Sequence, residues 1–219
     1  MKQLIKNWKE RRALRKLNIK ANKPKSLGVN MIQRKEEVII SLTTHPARIL
    51  SSYKTICTLL NQDYKPDKVI LWLAKEQFPS INDIPQKIQD LQKYGLTIGW
   101  WQDIRSYKKL IPALHEYPNA IIVTVDDDWY YRRDMLKILV EEHQKYPNEI
   151  ICHAITHPEL TDDNKLRMVK EDNEEYRAKS SYFNKILSGS AQLFLQTFQF
   201  QLHLSTQFQI QCSQRFIQQ

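Results

Sequence analysis

The sequence predicts an α/β fold in which a mainly parallel β-sheet is flanked by helices. Three observations support this prediction. Short apolar and β-branched runs recur along the chain, segments with helical spacing lie between them, and Pro, Asn and Asp residues separate the two kinds of segment. The chain has 219 residues, which suits one sizeable domain. Only four glycines occur, so the glycine-rich dinucleotide fingerprint and the P-loop are both excluded.

The predicted strands and helices alternate from residue 38 to residue 154. Strands are expected at 38–44, 68–73, 96–101, 121–125 and 149–154, and helices are expected at 48–60, 84–93, 103–114 and 133–146. A strand followed by a helix, repeated at this spacing, is typical of βα units. The highly charged stretch 161–179 is expected to be an exposed loop or helix.

Cysteine usage and hydropathy favour a cytoplasmic protein. The three cysteines, Cys57, Cys152 and Cys212, are far apart and odd in number, which is neither a disulfide framework nor a zinc pattern. No apolar run approaches the ~18 residues of a membrane span. The basic N-terminus is not followed by the apolar core of a secretory signal, so no leader is expected.

The net charge of +9 lies in a basic N-terminal arm, residues 1–30. Residues 1–25 contain ten Lys or Arg and one Glu, which leaves 33 − 10 = 23 basic and 24 − 1 = 23 acidic residues in the rest of the chain. The candidate partner of this arm is an anionic membrane surface, at the inner face of the cytoplasmic membrane. A free or packed basic helix is the alternative, because Leu14 and Leu17 lie opposite the face of Leu4, Ile5 and Trp8. Specific nucleic-acid binding is not expected.

Three consecutive carboxylates, Asp126, Asp127 and Asp128, follow the strongest predicted strand, Ile121–Val125. Ligands of open α/β sheets bind beyond the carboxyl ends of the strands. Three acids are costly to hold together unless a cation lies among them. A divalent ion shared with a phosphorylated ligand would supply that cation. The alternative is a solvated acidic turn that caps the next helix.

Two other strand ends carry candidate binding residues. Thr43, His45 and Arg48 join the first strand to the following helix, where hydroxyls and a guanidinium can hold a phosphate. Asp103 and Lys109 follow the third strand, where a lysine can also reach a phosphate. The alternatives are an ordinary βα turn with a surface arginine, a helix cap at Asp103 and a solvated lysine.

Four motifs occur in an order that resembles bacterial family-2-like glycosyltransferases of the GT-A type. They are SLTTHPARI (41–49), TLLNQDYKPDKVILWLA (58–74), DIRSYKKLIPAL (103–114) and VDDDWYY (125–131). The similarity covers about residues 38–190. It implies a Rossmann-like GT-A fold, a nucleotide-diphosphate sugar as donor, and a surface glycan or glycolipid acceptor, as in capsule or lipooligosaccharide synthesis.

The resemblance also implies roles for individual residues. The acid triplet matches the DxD element, so Asp128 would ligate Mn²⁺ or Mg²⁺, with Asp126 and Asp127 sharing ion, ribose and water contacts. Thr43, His45 and Arg48 lie where the first strand meets the nucleotide in that family. Asp103 and Lys109 match the polar segment that lines the donor pocket. The expected metal ligands are therefore Asp126 and Asp128. The expected nucleotide-sugar-binding residues are Thr43, His45, Arg48, Asp103, Lys109, Asp126 and Asp127.

The C-terminal segment departs from the family pattern. A nucleotide-sugar-binding domain is expected over residues 36–187, and a Gln-rich tail over 188–219, where residues 192–219 hold ten Gln. The chain has no Asp or Glu after Glu175, so the family's general base has no counterpart, and Asp162 and Glu171 are weak substitutes. We therefore expect a transferase truncated or frameshifted at this end, with reduced or absent activity. The alternatives are a nucleotide-sugar-binding remnant without turnover and a metal-dependent phosphohydrolase.

Overall fold

The structure is a computed structural model. It describes residues 21–147, 151–152, 155–160, 166–171 and 193–196. Most of the predicted basic arm, residues 1–20, lies outside this part of the chain, as do Asp162 and most of the Gln-rich tail.

The strands are β1 (Val38–Thr43), β2 (Lys68–Ala74), β3 (Leu96–Trp101), β4 (Ile121–Thr124), β5 (Ile151–Cys152), β6 (Ile155–Leu160), β7 (Leu166–Glu171) and β8 (Leu193–Gln196). Six of them form one sheet in the order β3-β2-β1-β4-β8-β5. β1 to β4 are mutually parallel, and β8 runs antiparallel to both β4 and β5. β6 and β7 form a separate antiparallel pair. The predicted α/β fold with a mainly parallel sheet is therefore confirmed.

The helices follow the strands of the sheet. They are α1 (Ile49–Leu59), α2 (Gln86–Gln89), α3 (Ile111–Glu116) and α4 (Met135–Lys145). Turns of 3₁₀ helix occupy Ile81–Asp83, Gln92–Tyr94 and Arg105–Lys109. Each parallel strand is joined to the next by such a helical crossover, which is the connection that parallel pairing requires.

Alternation along the strands divides the core between the two faces of the sheet. Val38, Ile40 and Leu42 of β1 belong to the larger cluster, which also contains the inward residues of α1 and α4. Ile39 and the residues of β2 that point the same way, including Trp72, form the smaller cluster with α3. A run of consecutive apolar residues is buried on both faces, as expected for a parallel strand between two helical layers.

Two predicted helices are shorter than expected. The helix at 84–93 is limited to Gln86–Gln89, since Pro85 before it has a non-helical ψ of 133°. A separate 3₁₀ turn, Gln92–Tyr94, follows and ends at Gly95, which is left-handed at φ 103°. The helix at 103–114 is interrupted because Arg105 has a φ of 54°, so a 3₁₀ turn precedes α3. The stretch 161–179 is not a loop or helix throughout, since β7 pairs with β6 there.

Both ends of the described chain contact the sheet or its loops. Leu193–Gln196, from the Gln-rich segment, pairs with the edge of β4. Near the other end, the Gly28 N–H donates to the Tyr94 carbonyl at 2.8 Å. The division of the chain into arm, domain and tail stays a prediction. In the described ranges, the helices lack the length and apolarity that a bilayer crossing would need.

A buried glutamine joins the end of α1 to the start of α4. The side-chain amide of Gln62 donates to the carbonyls of Thr58 at 3.1 Å and Arg132 at 2.7 Å. Its amide oxygen accepts from the N–H of Leu136 at 3.0 Å. Gln62 is 1% exposed, so it bonds these backbone groups in place of water. The carbonyls of Thr58 and Arg132 also accept from the N–H groups of Asn61 and Met135.

We predict that Gln62→Ala lowers the free energy of unfolding by about 2–4 kcal/mol, because it removes three hydrogen bonds of a buried side chain and takes away the partner of the buried Leu136 N–H. The control is Gln92→Ala, since Gln92 is exposed and its amide makes a 3.3 Å bond to the Gln89 carbonyl. The control should change the free energy by no more than about 0.5 kcal/mol. Urea titration measures both, and equal losses in the two variants would contradict this role for Gln62.

Candidate functional site

The acid triplet lies at the carboxyl edge of the parallel sheet, beside the end of β1. Ser41 is aligned with Thr124 in the β1–β4 pairing. Three residues further along each strand, Thr44 is therefore level with Asp127. The Val125 N–H donates to the Ser41 carbonyl at 3.0 Å, which continues the pairing beyond β4. The register thus brings the loop after β1 against the three carboxylates.

Asp127 is the inward member of the triplet. It is 7% exposed, and its Oδ2 accepts a hydrogen bond from the Thr44 hydroxyl at 2.5 Å. Its Oδ1 lies 3.3 Å from a guanidinium nitrogen of Arg48. A buried carboxylate needs such partners, because water no longer solvates it. Asp127 therefore fixes the loop after β1 to the loop after β4.

Arg48 connects the middle and last aspartates. Its second guanidinium nitrogen donates to Asp128, whose side chain is 46% exposed. The start of α1 positions this arginine, because the His45 carbonyl accepts from the N–H groups of Arg48 at 2.9 Å and Ile49 at 3.0 Å. Burial acts to lower the pKa of Arg48, but Asp127 and Asp128 outweigh that effect and raise it. The guanidinium is thus a permanent cation at the centre of the site.

Lys109 supplies the second cation. Its Nζ lies 2.6 Å from Oδ1 of Asp126, and the two side chains are 15% and 19% exposed. Burial raises the pKa of Asp126; Lys109 opposes this rise, and the charges of Asp128 and Asp127 add to it. The 3₁₀ turn that carries Lys109 packs against β1 and β2, so it crosses the carboxyl edge of the sheet from β3 towards β4.

Tyr131 closes the loop that carries the triplet. Its hydroxyl accepts from the Asp126 N–H at 2.9 Å and lies 3.1 Å from the Asp126 carbonyl, to which it donates. The Tyr131 N–H donates in turn to the hydroxyl of Thr58 on α1 at 3.2 Å. Tyr131 is 5% exposed, and burial raises the pKa of its hydroxyl, which keeps it protonated as a donor. The backbone at Asp126 is thereby held against the core.

The two cations leave the triplet with one uncompensated negative charge, since three carboxylates face one lysine and one arginine. In the described part of the chain, no group of three or more His, Cys, Asp or Glu side chains is arranged to hold a metal ion. Mg²⁺, however, is commonly held by only one or two carboxylates together with waters and phosphate oxygens. Asp126 and Asp128 provide hard oxygens of this kind, with side chains 19% and 46% exposed. Their chemistry therefore fits such an ion, with Asp127 reserved for Thr44 and Arg48.

The remaining predicted residues lie at the same edge but use their polar groups elsewhere. The Thr43 hydroxyl donates to the Trp72 carbonyl at 2.8 Å. His45 is exposed and contributes its carbonyl to the start of α1. Asp103 accepts from the Nζ of Lys108 at 2.5 Å and from the N–H of Arg105 at 3.0 Å. The structure thus brings together Arg48, Lys109 and the triplet, while Thr43 and Asp103 stabilise the surrounding loops.

Sequence reasoning missed Thr44, Tyr131 and the role of Lys108. Thr44 follows a threonine that continues the strand, and only the β1–β4 register shows which hydroxyl faces Asp127. Tyr131 ends the VDDDWYY motif, but the motif does not indicate that its hydroxyl bonds the backbone of Asp126. Lys108 is 3% exposed and paired with Asp103, so the two adjacent lysines bind different acids. Adjacent residues of a 3₁₀ turn lie about 120° apart around its axis, so Lys108 and Lys109 can reach different acids.

No model of a known protein family matches the chain, and a search of curated proteins found no match either.

We predict a pH-dependent contribution of Asp103 to stability. The hydrogen bond from Lys108 is the main reason that the pKa of Asp103 is lowered, and the Arg105 N–H adds to it against the opposing effect of burial. The folded state therefore binds its proton less readily than the unfolded state. The resulting stability is present above the ordinary aspartate pKa of about 4 and is lost as pH falls through the lowered pKa.

Asp103→Asn should accordingly lower the free energy of unfolding at neutral pH, with a difference from wild type that shrinks in acid. Urea titrations across this range measure the difference. Lys108→Met is the matched variant, because it removes the main partner and should flatten the pH dependence of the Asp103→Asn effect. A difference that stays constant with pH would contradict the assignment.

Proposed function

We propose that the chain binds a nucleotide-diphosphate sugar at the carboxyl edge of its sheet and belongs to a metal-assisted glycosyltransferase. The observation that carries this proposal is the network of Arg48 and Lys109 with Asp126, Asp127 and Asp128. It combines cations that suit phosphates with carboxylates that suit a divalent ion, at the edge where α/β sheets bind ligands. The resemblance of the four motifs to GT-A-type enzymes supplies the class of donor.

The charge of the site explains why a metal ion would accompany the donor. The five side chains carry one net negative charge at neutral pH. A sugar nucleotide adds about one negative charge on each of its two phosphates, so the site would become strongly anionic on binding. A divalent cation held by Asp126 and Asp128 would offset that increase. When bound, Mn²⁺ or Mg²⁺ stabilises the charge on a departing nucleoside diphosphate.

Arg48 is proposed to exchange partners when the donor binds. Its guanidinium lies on Asp128, one of the two carboxylates that would hold the ion. Arg48 is 41% exposed at its side chain, so it can turn towards a phosphate, and a bidentate guanidinium–phosphate pair is a strong interaction. The released carboxylate then becomes available to a cation. Asp127, which stays bonded to Thr44, keeps the loop in place during this exchange.

Lys109 and Tyr131 have positioning roles in this proposal. Lys109 lies against Asp126 at the start of the triplet, where its ammonium can shift between that carboxylate and a phosphate oxygen. Tyr131 holds the Asp126 backbone through its hydroxyl. The side chains of the triplet can therefore bind ligands while the loop itself is fixed, which reduces the entropy lost on binding.

Transfer of the sugar would also require an acceptor and a general base. A surface glycan or glycolipid is the proposed acceptor. Glu171 lies in β7, in the hairpin outside the main sheet, and Asp162 lies outside the described residues. Binding of the donor needs only the residues of the site, whereas transfer of the sugar also needs a general base.

We predict that, in the presence of Mn²⁺, the melting temperature is raised by sugar nucleotides with one particular nucleobase and not by the others. A ligand at about one hundred times its dissociation constant adds about 2.7 kcal/mol to the free energy of unfolding. UDP-, GDP- and CDP-sugars, each with and without Mn²⁺, should be compared by thermal shift. Asp128→Asn should remove the Mn²⁺-dependent part of the shift.

Lys109→Met should weaken donor binding by at least about tenfold, because it removes a charge beside the phosphates. The matched control is Lys137→Met on α4, which removes an exposed lysine paired with Glu141 and should leave binding unchanged. Analysis of the reaction products then shows whether the sugar is transferred or the donor is only bound. Wild-type melting curves that no donor shifts would contradict the proposal.

We also predict opposite effects of Arg48→Gln on the two ligands. Without donor, the variant should bind Mn²⁺ more tightly than wild type, since Asp128 loses its competing cation. With Mn²⁺ present, it should bind the donor more weakly by about tenfold or more, since a phosphate partner is lost. Isothermal titration measures both affinities.

Arg132→Gln is the control for this pair of measurements. Arg132 makes an analogous surface pair with Asp134, and its guanidinium donates twice to that carboxylate, at 3.0 and 2.5 Å. Both affinities should stay at their wild-type values in this variant. Weaker Mn²⁺ binding in Arg48→Gln would show that the arginine supports the ion site instead of competing for it.

A further inference from the structure

Large apolar side chains are exposed together in the loop that precedes β1. Met31 is 80% exposed and Ile32 is 78% exposed, which are the highest values among the large hydrophobic residues that the structure describes. Leu27, at 40%, lies in the same loop. Single exposed apolar residues are common, but adjacent ones this exposed favour an interaction surface. We call residues 27–35 the apolar turn.

Hydrogen bonds hold the backbone of the apolar turn in place. The Asn30 N–H donates to the Pro66 carbonyl at 2.7 Å, and the Asn30 amide donates to Asp67 at 2.7 Å. The same amide donates to the Ile32 carbonyl at 2.5 Å, and the Ile32 N–H donates back to its oxygen at 3.2 Å. Met31 and Ile32 are thus presented at the tip of a turn whose base is bonded to the sheet.

Basic residues flank both sides of this tip. On one side, Arg34 donates to the Lys65 carbonyl at 2.8 Å and lies 4.5 Å from the centroid of the Tyr64 ring. On the other side, the ammonium groups of Lys23 and Lys93 lie 5.8 and 5.6 Å from the centroid of the Tyr94 ring, whose residue is bonded to Gly28.

Basic residues are frequent in the sequence that leads into the turn. Asp67, at the base of the turn, has a side chain only 9% exposed and is paired with Arg34 and Asn30. Glu36 and Glu37 directly follow the turn, and Glu37 lies 3.4 Å from the ammonium of Lys68. Residues 21–37 contain four Lys or Arg and two Glu, and residues 1–20 add eight Lys or Arg and one Glu, so residues 1–37 carry a net charge of +9. Basic residues therefore outnumber acids in this part of the sequence.

We propose that the apolar turn docks the protein on an anionic membrane surface, with Met31 and Ile32 entering the interface. Apolar side chains that enter the boundary of the acyl chains, surrounded by lysines and arginines at the level of the head groups, are the combination that binds anionic lipid. A protein partner of matching shape would not need this excess of positive charge. The proposal does not depend on the sugar-nucleotide site.

The turn lies at the amino edge of the parallel sheet. Asp67, to which Asn30 is bonded, directly precedes β2, and it also accepts from the N–H of Val38 at the start of β1 at 2.8 Å. The acid triplet lies at the opposite, carboxyl edge. A strand of six residues spans about 20 Å, so docking through the turn leaves the triplet facing away from the lipid.

Cosedimentation of the full chain with vesicles tests this proposal. Vesicles of phosphatidylcholine with about one third phosphatidylglycerol should bind the wild-type chain, and vesicles of phosphatidylcholine alone should bind it much less. The double variant Met31→Gln, Ile32→Gln should reduce the partition coefficient on the anionic vesicles by about tenfold or more, since two buried side chains are lost.

The control is the double variant Leu50→Gln, Ile138→Gln, which removes two exposed apolar residues from α1 and α4 and should bind like wild type. The variant Ile32→Trp gives a second measurement, because its additional fluorescence should shift to shorter wavelength with anionic vesicles. Three results would overturn the proposal. They are wild-type binding in the Met31→Gln, Ile32→Gln variant, no binding of the wild-type chain to anionic vesicles, or a dimer in solution that this variant alone abolishes.

Discussion

The structure depends on the neutralisation of three adjacent carboxylates at the end of β4. Adjacent acids repel one another, and a buried one loses its hydration as well. The protein meets this constraint with a hydroxyl from Thr44 and a guanidinium from Arg48 on Asp127, and with the ammonium of Lys109 on Asp126. Thr44 and Arg48 come from the loop after β1, and Lys109 comes from the turn after β3, so the triplet fixes the relative positions of the loops after β1, β3 and β4.

Buried polar groups also join separate segments of the chain below the site. Gln62 bonds the end of α1 to the start of α4, and Tyr131 bonds the loop after β4 to Thr58 of α1. These residues lie on the face of the sheet covered by both helices. The loop that carries the triplet is therefore held by hydrogen bonds to the helix after β1 and by ion pairs with Arg48 and Lys109. A site whose charges are to change partners needs a backbone held in this way.

Much of the fold could be predicted from the sequence because the apolar runs are long and sharply bounded. The predicted third strand has the observed ends, and the predicted first and second strands each differ from the observed ones by one residue. The predicted helix at 103–114 is interrupted, because the left-handed backbone of Arg105 has no signal in the residue pattern. The sequence does not predict the position of β8 either, because Leu193–Gln196 is placed in the sheet by pairing with a strand about 70 residues earlier.

For the site, the sequence indicates the chemistry of the residues better than their geometry. The sequence indicated that a cation must lie among the three acids, and it named Arg48 and Lys109 as candidates for holding a phosphate. It does not indicate that these two side chains form ion pairs with the three aspartates. That pairing depends on the β1–β4 register and on the 3₁₀ turn before α3. The consequence concerns mechanism. Since protein cations already offset two of the three charges, an ion bound as proposed would compete with them, and a phosphate would have to attract them away. In the proposed function, ion and phosphate would therefore favour each other's binding, because each ligand would release the group that the other one needs.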